Sequence, residues 1–214
     1  MTTTDETQNT DTGPAIEPAS NVFLSGNPSA IGVPTFIAGS VALGLVLIGY
    51  VPASAVGASL SIILAATGVG LTISAIWAAT LGQSAVAGIF GIFSGFWLSY
   101  AVLVLGLLHG WFAITPAAAV RTQGLFLITW LVIIVMLTLG TLRLPLAFTV
   151  LFALIDLALA AVLIGTLDGS TGWLHIGGVL VFIFAAVGAY IYFSVAEVIT
   201  GGGAIPLGRP VIAS

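Results

Sequence analysis

The stretch TQGLFLITWLVIIVMLTLGTL, residues 122–142, carries no charged residue. A helix needs about 20 apolar residues to cross the roughly 30 Å hydrocarbon core of a bilayer, so this segment is long enough to span one. Five further stretches pass the same test: residues 33–50, 55–79, 84–108, the run that follows Arg143-Leu144-Pro145 and ends at Thr166, and residues 173–199. Each is closed by a turn signal. Val51-Pro52 ends the first, Gly82-Gln83 the second, His109-Gly110 the third and Gly201-Gly202-Gly203 the sixth. Polar loops containing Thr115, Pro116 and Arg121, and Asp168 and Ser170, flank the fourth and fifth. The pattern predicts an all-α integral membrane protein with six transmembrane helices.

Composition leads the same way. Apolar residues make up 59% of the chain and charged residues only 5%, against about 25% in a soluble domain whose surface must meet water. There is no cysteine, which excludes a disulfide framework, thiol catalysis and thiolate metal sites. The three basic residues are Arg121, Arg143 and Arg209, too few and too dispersed for a nucleic-acid footprint. Asp5, Glu6, Asp11 and Glu17 place most of the acidity at the N-terminus. Residues 1–24 read as a disordered acidic tail rather than a signal peptide, having neither a positive nor an apolar region. The transmembrane domain is expected over residues 25–200, with a short C-terminal tail over 201–214.

Six spans put both termini on one face, with Arg143 and Arg209; Arg121 lies opposite. Two arginines against one favours cytoplasmic termini. Trp77, Trp111 and Trp173 fall at helix ends, where indole suits the headgroup level, whereas Trp97 and Trp130 read as packing residues. Small residues recur at helical spacing: Ala66, Gly70, Ser74 and Ala78; Gly91, Gly95 and Ser99; Gly39 and Gly44. Such stripes let helix backbones approach closely, within one subunit or between neighbouring subunits.

Few residues carry chemistry. Asp156 is the only acid at mid-membrane depth, where an isolated charge costs about 2.5–3.5 kcal/mol on insertion scales. It is either a proton-accepting or pore-lining group, or a neutral acid hydrogen-bonded to a Ser or Thr of a neighbouring helix. Glu197 reads as interfacial. His109 and His175, without cysteine or a carboxylate pair, make no metal site, and no cofactor is implied. Ser94 lacks nucleophile spacing and a positioned base, so catalysis is not expected. No phosphate-binding loop is present, which excludes ATP-driven pumping by this chain. Asn27-Pro28 has the form of a helix start, a side-chain cap followed by proline. Gly32 and Pro34 then predict a short broken or re-entrant helix ahead of the first span, a feature tolerated only beside a cavity or within protein.

That start belongs to a recognisable pattern. Asn27-Pro28-Ser29-Ala30-Ile31-Gly32-Val33-Pro34-Thr35-Phe36 resembles the Asn-Pro-x-x-x-Gly-x-x-x-Phe signature of the acetate uptake transporters, the YaaH-type succinate–acetate permease family. Phe96-Trp97-Leu98-Ser99-Tyr100-Ala101, Gly140-Thr141-Leu142-Arg143, His175-Ile176-Gly177-Gly178 and Ala189-Tyr190-Ile191-Tyr192 are similar to later family stretches in the same order. The resemblance runs from Asn27 to Arg209. It implies a homo-hexamer in the plasma (inner) membrane, each subunit with its own pathway for acetate or succinate. It also implies a hydrophobic constriction, here Phe36, Phe93 and Ile155, with Phe93 in place of the usual Tyr. Asn27, Pro28, Gly32, Thr35, Ser94 and Asp156 are then candidates for substrate binding or gating. A dry constriction favours a neutral, protonated monocarboxylic acid over a dianion, and so proton-linked movement. Two readings compete: a pore for another small solute such as ammonium, and a non-transporting scaffold. Transport predicts that Asn27, Thr35, Thr72, Ser94 and Asp156 converge on one lumen; a scaffold predicts that they scatter.

Overall fold

The computed structural model describes residues 25–212, so the expected acidic tail lies outside the described residues. Six helices are long and apolar enough to cross a membrane: α1 Ser29–Leu47, α2 Ser54–Thr80, α3 Ser84–His109, α4 Pro116–Arg143, α5 Leu146–Asp168 and α6 Thr171–Ile199. The chain is therefore a multi-pass, all-helical membrane protein, as the hydropathy predicts. The ends of α1, α3 and α5 nearest the N-terminus share one face with the last turns of α2, α4 and α6; this is called the terminal face below.

The first span differs from expectation. There is no break at Gly32 or Pro34: α1 is one continuous helix with Pro34 inside it. Proline removes a single amide donor, and Pro34 sits little more than a turn from the helix start, where little helix precedes the lost bond. Asn27 does cap the helix, its Oδ1 accepting from the Ser29 amide at 3.0 Å, with Pro28 already helical at φ −57°. Gly32 is needed for close approach rather than for a bend, because a Cβ there would collide with the ring of Phe90. Arg121, expected in a loop, lies inside α4, whose regular part begins at Ala119.

The irregular span is α2. It opens as a 3-10 helix over Ala53–Ser59 and passes through a π turn at Ile63–Gly68 before becoming regular over Val69–Thr80. The π turn faces α1. Thr67 Oγ1 donates to the Thr35 carbonyl at 2.9 Å, and a Cβ on Gly39 would lie 2.5 Å from that same Oγ1. Gly70 is equally crowded by Thr35, so two glycine–threonine contacts of opposite sense lock the pair. Gly70, Ser74 and Ala78 are buried, as the small-residue stripe predicts. On α3 the outcome is mixed: Gly95 packs on Trp130, but Gly88 and Gly91 have open space or only a distant neighbour.

Around the bundle, α1 packs between α2 and α6, α2 on α3, α4 on α5 and α5 on α6, while α3 and α4 touch little. That opening is filled by aromatic rings, Phe96 and Tyr100 from α3 against Phe126 and Trp130 from α4. Beyond α6 the chain turns back. Residues 205–212 lie without regular secondary structure across the terminal face, with the Ala147 amide donating to the Leu207 carbonyl and the Ile212 amide to the Leu142 carbonyl, both at 2.9 Å. The Tyr190 hydroxyl donates to Pro206 at 2.6 Å and Ser194 Oγ to Ile205 at 3.0 Å. The segment thus ties the start of α5 to the end of α6.

Candidate functional site: two cavities divided by Phe36 and Phe93

The core is a chain of aromatic rings at mid-bundle. Phe36 on α1 meets Phe93 on α3 edge to face, with centroids 4.9 Å apart. Phe184 of α6 packs on Phe36 at 5.8 Å, and Phe152 of α5 on Phe93 at 5.6 Å. The edge-to-face pairs Phe36–Phe93 and Phe93–Phe152 add to the burial of their large surfaces, and Phe184 lies tilted on Phe36. Phe36 is 7% exposed and Phe93 4%, so no continuous aqueous path runs between them.

A cavity lies on either side of this plug. The terminal-face cavity, about 150 Å³, is bounded by Ser29, Val33, Val86, Phe148 and Ile191 among others. The opposite cavity, about 290 Å³, reaches from the plug past Ile155 and Leu159 toward Gln123, Thr166 and Leu174. Phe36 and Phe93 are the two residues that line both. Ile155 lines only the larger, at 5% exposure. Of the three residues expected at the constriction, Phe36 and Phe93 stand where the cavities meet, and Ile155 stands in the wall of the larger one.

The polar candidates behave differently. Asn27 and Pro28 start α1 at the terminal face, and Gly32 seats Phe90. Thr35 Oγ1 donates back to its own helix at Ile31 and Gly32. Ser94 Oγ and Thr72 Oγ1 lie 2.7 Å apart, one donating to the other, and the Gly68 carbonyl, within reach of both, accepts the remaining proton. Asp156 Oδ2 accepts from Thr138 Oγ1 of α4 at 2.6 Å, while Oδ1 is buried without a partner. None of Asn27, Thr35, Thr72, Ser94 and Asp156 lines either cavity. The expected convergence on one lumen does not occur. The physical reason is that a hydroxyl in lipid-like surroundings is satisfied by the nearest backbone carbonyl, four residues back on its own helix. For Asp156, adjacency to Ile155 in sequence means about 100° of rotation in a helix, which turns it from the lumen toward α4.

Sequence reasoning missed the polar groups that do line the larger cavity, Tyr100, Gln123 and Thr166. Tyr100 lies within a quoted family stretch, but uncharged residues near helix ends carry no signal of their own. Arg121 and the histidines lie outside both cavities, and among the described residues no cluster suited to a metal ion is found.

Comparison with known proteins agrees with the fold. Among solved structures, one described as the bacterial acetate channel SatP superposes with a TM-score of 0.76, at 22% sequence identity, covering 86% of this chain and 99% of that one. No curated protein matches by sequence. The family model described as GPR1/FUN34/yaaH matches residues 10–202. With six spans, an aromatic plug and a match over most of its length, the chain belongs to the GPR1/FUN34/yaaH family.

Proposed function

We propose that this protein is a membrane channel or transporter for acetate and related small monocarboxylates, with its pathway running through the two cavities and gated at Phe36 and Phe93. The observation that carries this reading is that the two cavities reach the same pair of rings from opposite faces. The scatter of the polar candidates is the outcome a scaffold predicts, and the pair of vestibules, for which a scaffold has no use, outweighs it. The family membership and the name of the structural relative, an acetate channel, support the substrate. Movement of one ring relative to the other would join the cavities.

The walls around the plug are apolar, and an ion stripped of water there has no compensating charge. The proton is therefore carried on the substrate itself: a carboxylic acid crosses neutral, and flux follows the proton gradient. Succinate, which needs two protons to become neutral, is a poorer substrate. The assembly is a homo-hexamer in the plasma (inner) membrane with cytoplasmic termini; the open surface at Gly88 and Gly91 of α3 supplies a face for close approach of a neighbour. The same apolar walls leave one other reading, a pore for a small neutral solute such as ammonia.

The test is uptake of radiolabelled acetate into proteoliposomes, with and without an inward proton gradient, beside succinate, methylamine and an Asp156→Asn variant. Acceleration by the gradient in both proteins, with succinate slow, is expected. Weakened uptake in Asp156→Asn would move the proton from the substrate to that carboxyl. Uptake of methylamine but not acetate would replace the reading with the second one, and no uptake of any solute would return it to a scaffold.

A further inference from the structure

The larger cavity is too big and too apolar for acetate alone. A void of about 150 Å³ lined by aliphatic and aromatic side chains holds a benzene molecule, and this one is about 290 Å³. Its inner part, from Phe93 and Ile155 to Leu127 and Leu159, is hydrocarbon. Toward its mouth three uncharged polar side chains enter from three helices: Tyr100 from α3, Gln123 from α4 and Thr166 from α5. Among the described residues no hydrogen bond occupies the Tyr100 or Thr166 hydroxyl, and Gln123 uses only Nε2, in a long 3.4 Å contact with the Ala119 carbonyl. All three are half-buried, and their spare hydrogen-bonding capacity borders the cavity, where the polar head of a ligand can take it up.

The polarity is graded. Counting along the helices at about 1.5 Å per residue, Gln123 and Thr166 lie near the face opposite the termini, and Tyr100 lies deeper, nine residues before the end of α3 at His109. A ligand that matches this gradient has one compact polar head and a hydrocarbon tail several carbons long.

Resting on the carboxylate reading above, we propose that the 290 Å³ cavity is a binding site for monocarboxylic acids with tails of about four to six carbons. Gln123 and Thr166 hold the carboxyl group, and the tail lies against Leu127, Leu159 and Ile155. Acetate occupies the head end only. The preference is thermodynamic: each buried methylene contributes about 0.8 kcal/mol, a factor of three to four in affinity.

The test is isothermal titration calorimetry on the purified protein in detergent, where permeation of longer acids through lipid does not interfere. The series is acetate, butyrate, hexanoate and decanoate, with hexanol beside hexanoate. Affinity is expected to climb three- to fourfold per methylene up to hexanoate and to fall at decanoate, with hexanol at least tenfold weaker than hexanoate. Gln123→Leu, near-isosteric and only half-buried, is expected to weaken hexanoate about fivefold and leave hexanol unchanged. Leu103→Trp, which fills the cavity wall, is expected to shift the optimum to a shorter acid. Acetate binding with a flat or falling profile along the series overturns this inference and leaves the proposed function standing. Hexanol as tight as hexanoate overturns the assignment of the head-group contacts. Failure of every acid, acetate included, to bind or to be taken up removes the functional reading as well.

Discussion

Two helix seams in this bundle both contain threonine, buried at one and half-buried at the other, and they differ in what the threonine meets. At the α1–α2 seam, Thr67 donates to the Thr35 carbonyl at 2.9 Å, and glycines 39 and 70 take up the remaining volume. The hydroxyls of Thr35 and Thr67 both have partners there, and neither meets a titratable group. At the α4–α5 seam, Thr138 meets Asp156 at 2.6 Å while also lying 3.0 Å from the Ile134 carbonyl, and the second carboxyl oxygen stays unpaired. In a bilayer no hydrophobic force presses helices together, so close packing and hydrogen bonds must do so. The first seam relies on fit, the second on a polar contact. Fit tolerates no added volume, and a polar contact tolerates it but depends on both partners.

The harshest way to break the first seam is Gly39→Leu. A Cβ at this position would already lie 2.5 Å from Thr67 Oγ1 and 2.8 Å from its methyl, and overpacking a tight core costs about 1–3 kcal/mol before any larger branch is placed. The expected outcome is loss of the monodisperse peak in size-exclusion chromatography. If Gly39→Leu purifies with unchanged thermal stability, the seam is not close-packed. Next in size is Thr138→Val, which strands both carboxyl oxygens of Asp156. An orphaned acceptor costs about 1–3 kcal/mol when buried, and at half-buried Asp156 the lower end of that range is expected, read as a lowered thermal midpoint. Thr67→Val is smaller. It removes one hydroxyl from a carbonyl inside α1, and such interhelical bonds average about 0.6 kcal/mol in membranes. A loss from Thr67→Val larger than that from Thr138→Val would reverse the comparison.

How much of this was legible in the sequence follows from what each signal encodes. Hydropathy encodes immersion, and it located all six spans. Tryptophan position separated Trp111 and Trp173, 46% and 41% exposed at helix ends, from Trp97, 2% exposed in the core. Trp77 is the exception among the end tryptophans, since its ring covers Gly26. Small-residue spacing marked Gly39, Gly44 and Gly70 as packing sites, and the family pattern marked Phe36, Phe93 and Ile155. Helix rotation was not legible. An apolar span has no polar face to show which side points inward, so Asp156 was placed near the constriction by its number and turns away from it. Pro34 was read as a break because the cost of one missing amide was weighed without its position in the helix. The docking of residues 205–212 had no local signature either, since it depends on free backbone groups at Leu142 and Ala147 that only the folded bundle brings beside it.

The smallest expected effect sharpens the comparison most. Thr138 has one hydroxyl proton and two acceptors within reach, Asp156 Oδ2 and the Ile134 carbonyl. Asp156→Asn supplies a donor in place of one carboxyl oxygen. Its amide can give a hydrogen bond to Thr138, which frees the threonine proton for Ile134, at nearly unchanged volume. The seam then loses nothing, and the unfolding free energy is expected to stay within about 0.5 kcal/mol of the parent, the usual range for changes that break no contact. A double-mutant cycle of Asp156→Asn with Thr138→Val measures the coupling directly. Coupling near that of an ordinary interhelical bond makes Asp156 a packing residue that happens to be an acid. If instead Asp156→Asn destabilises as much as Thr138→Val does, the seam is held by a charge that the amide cannot replace, and the resemblance between the two seams ends at the threonine.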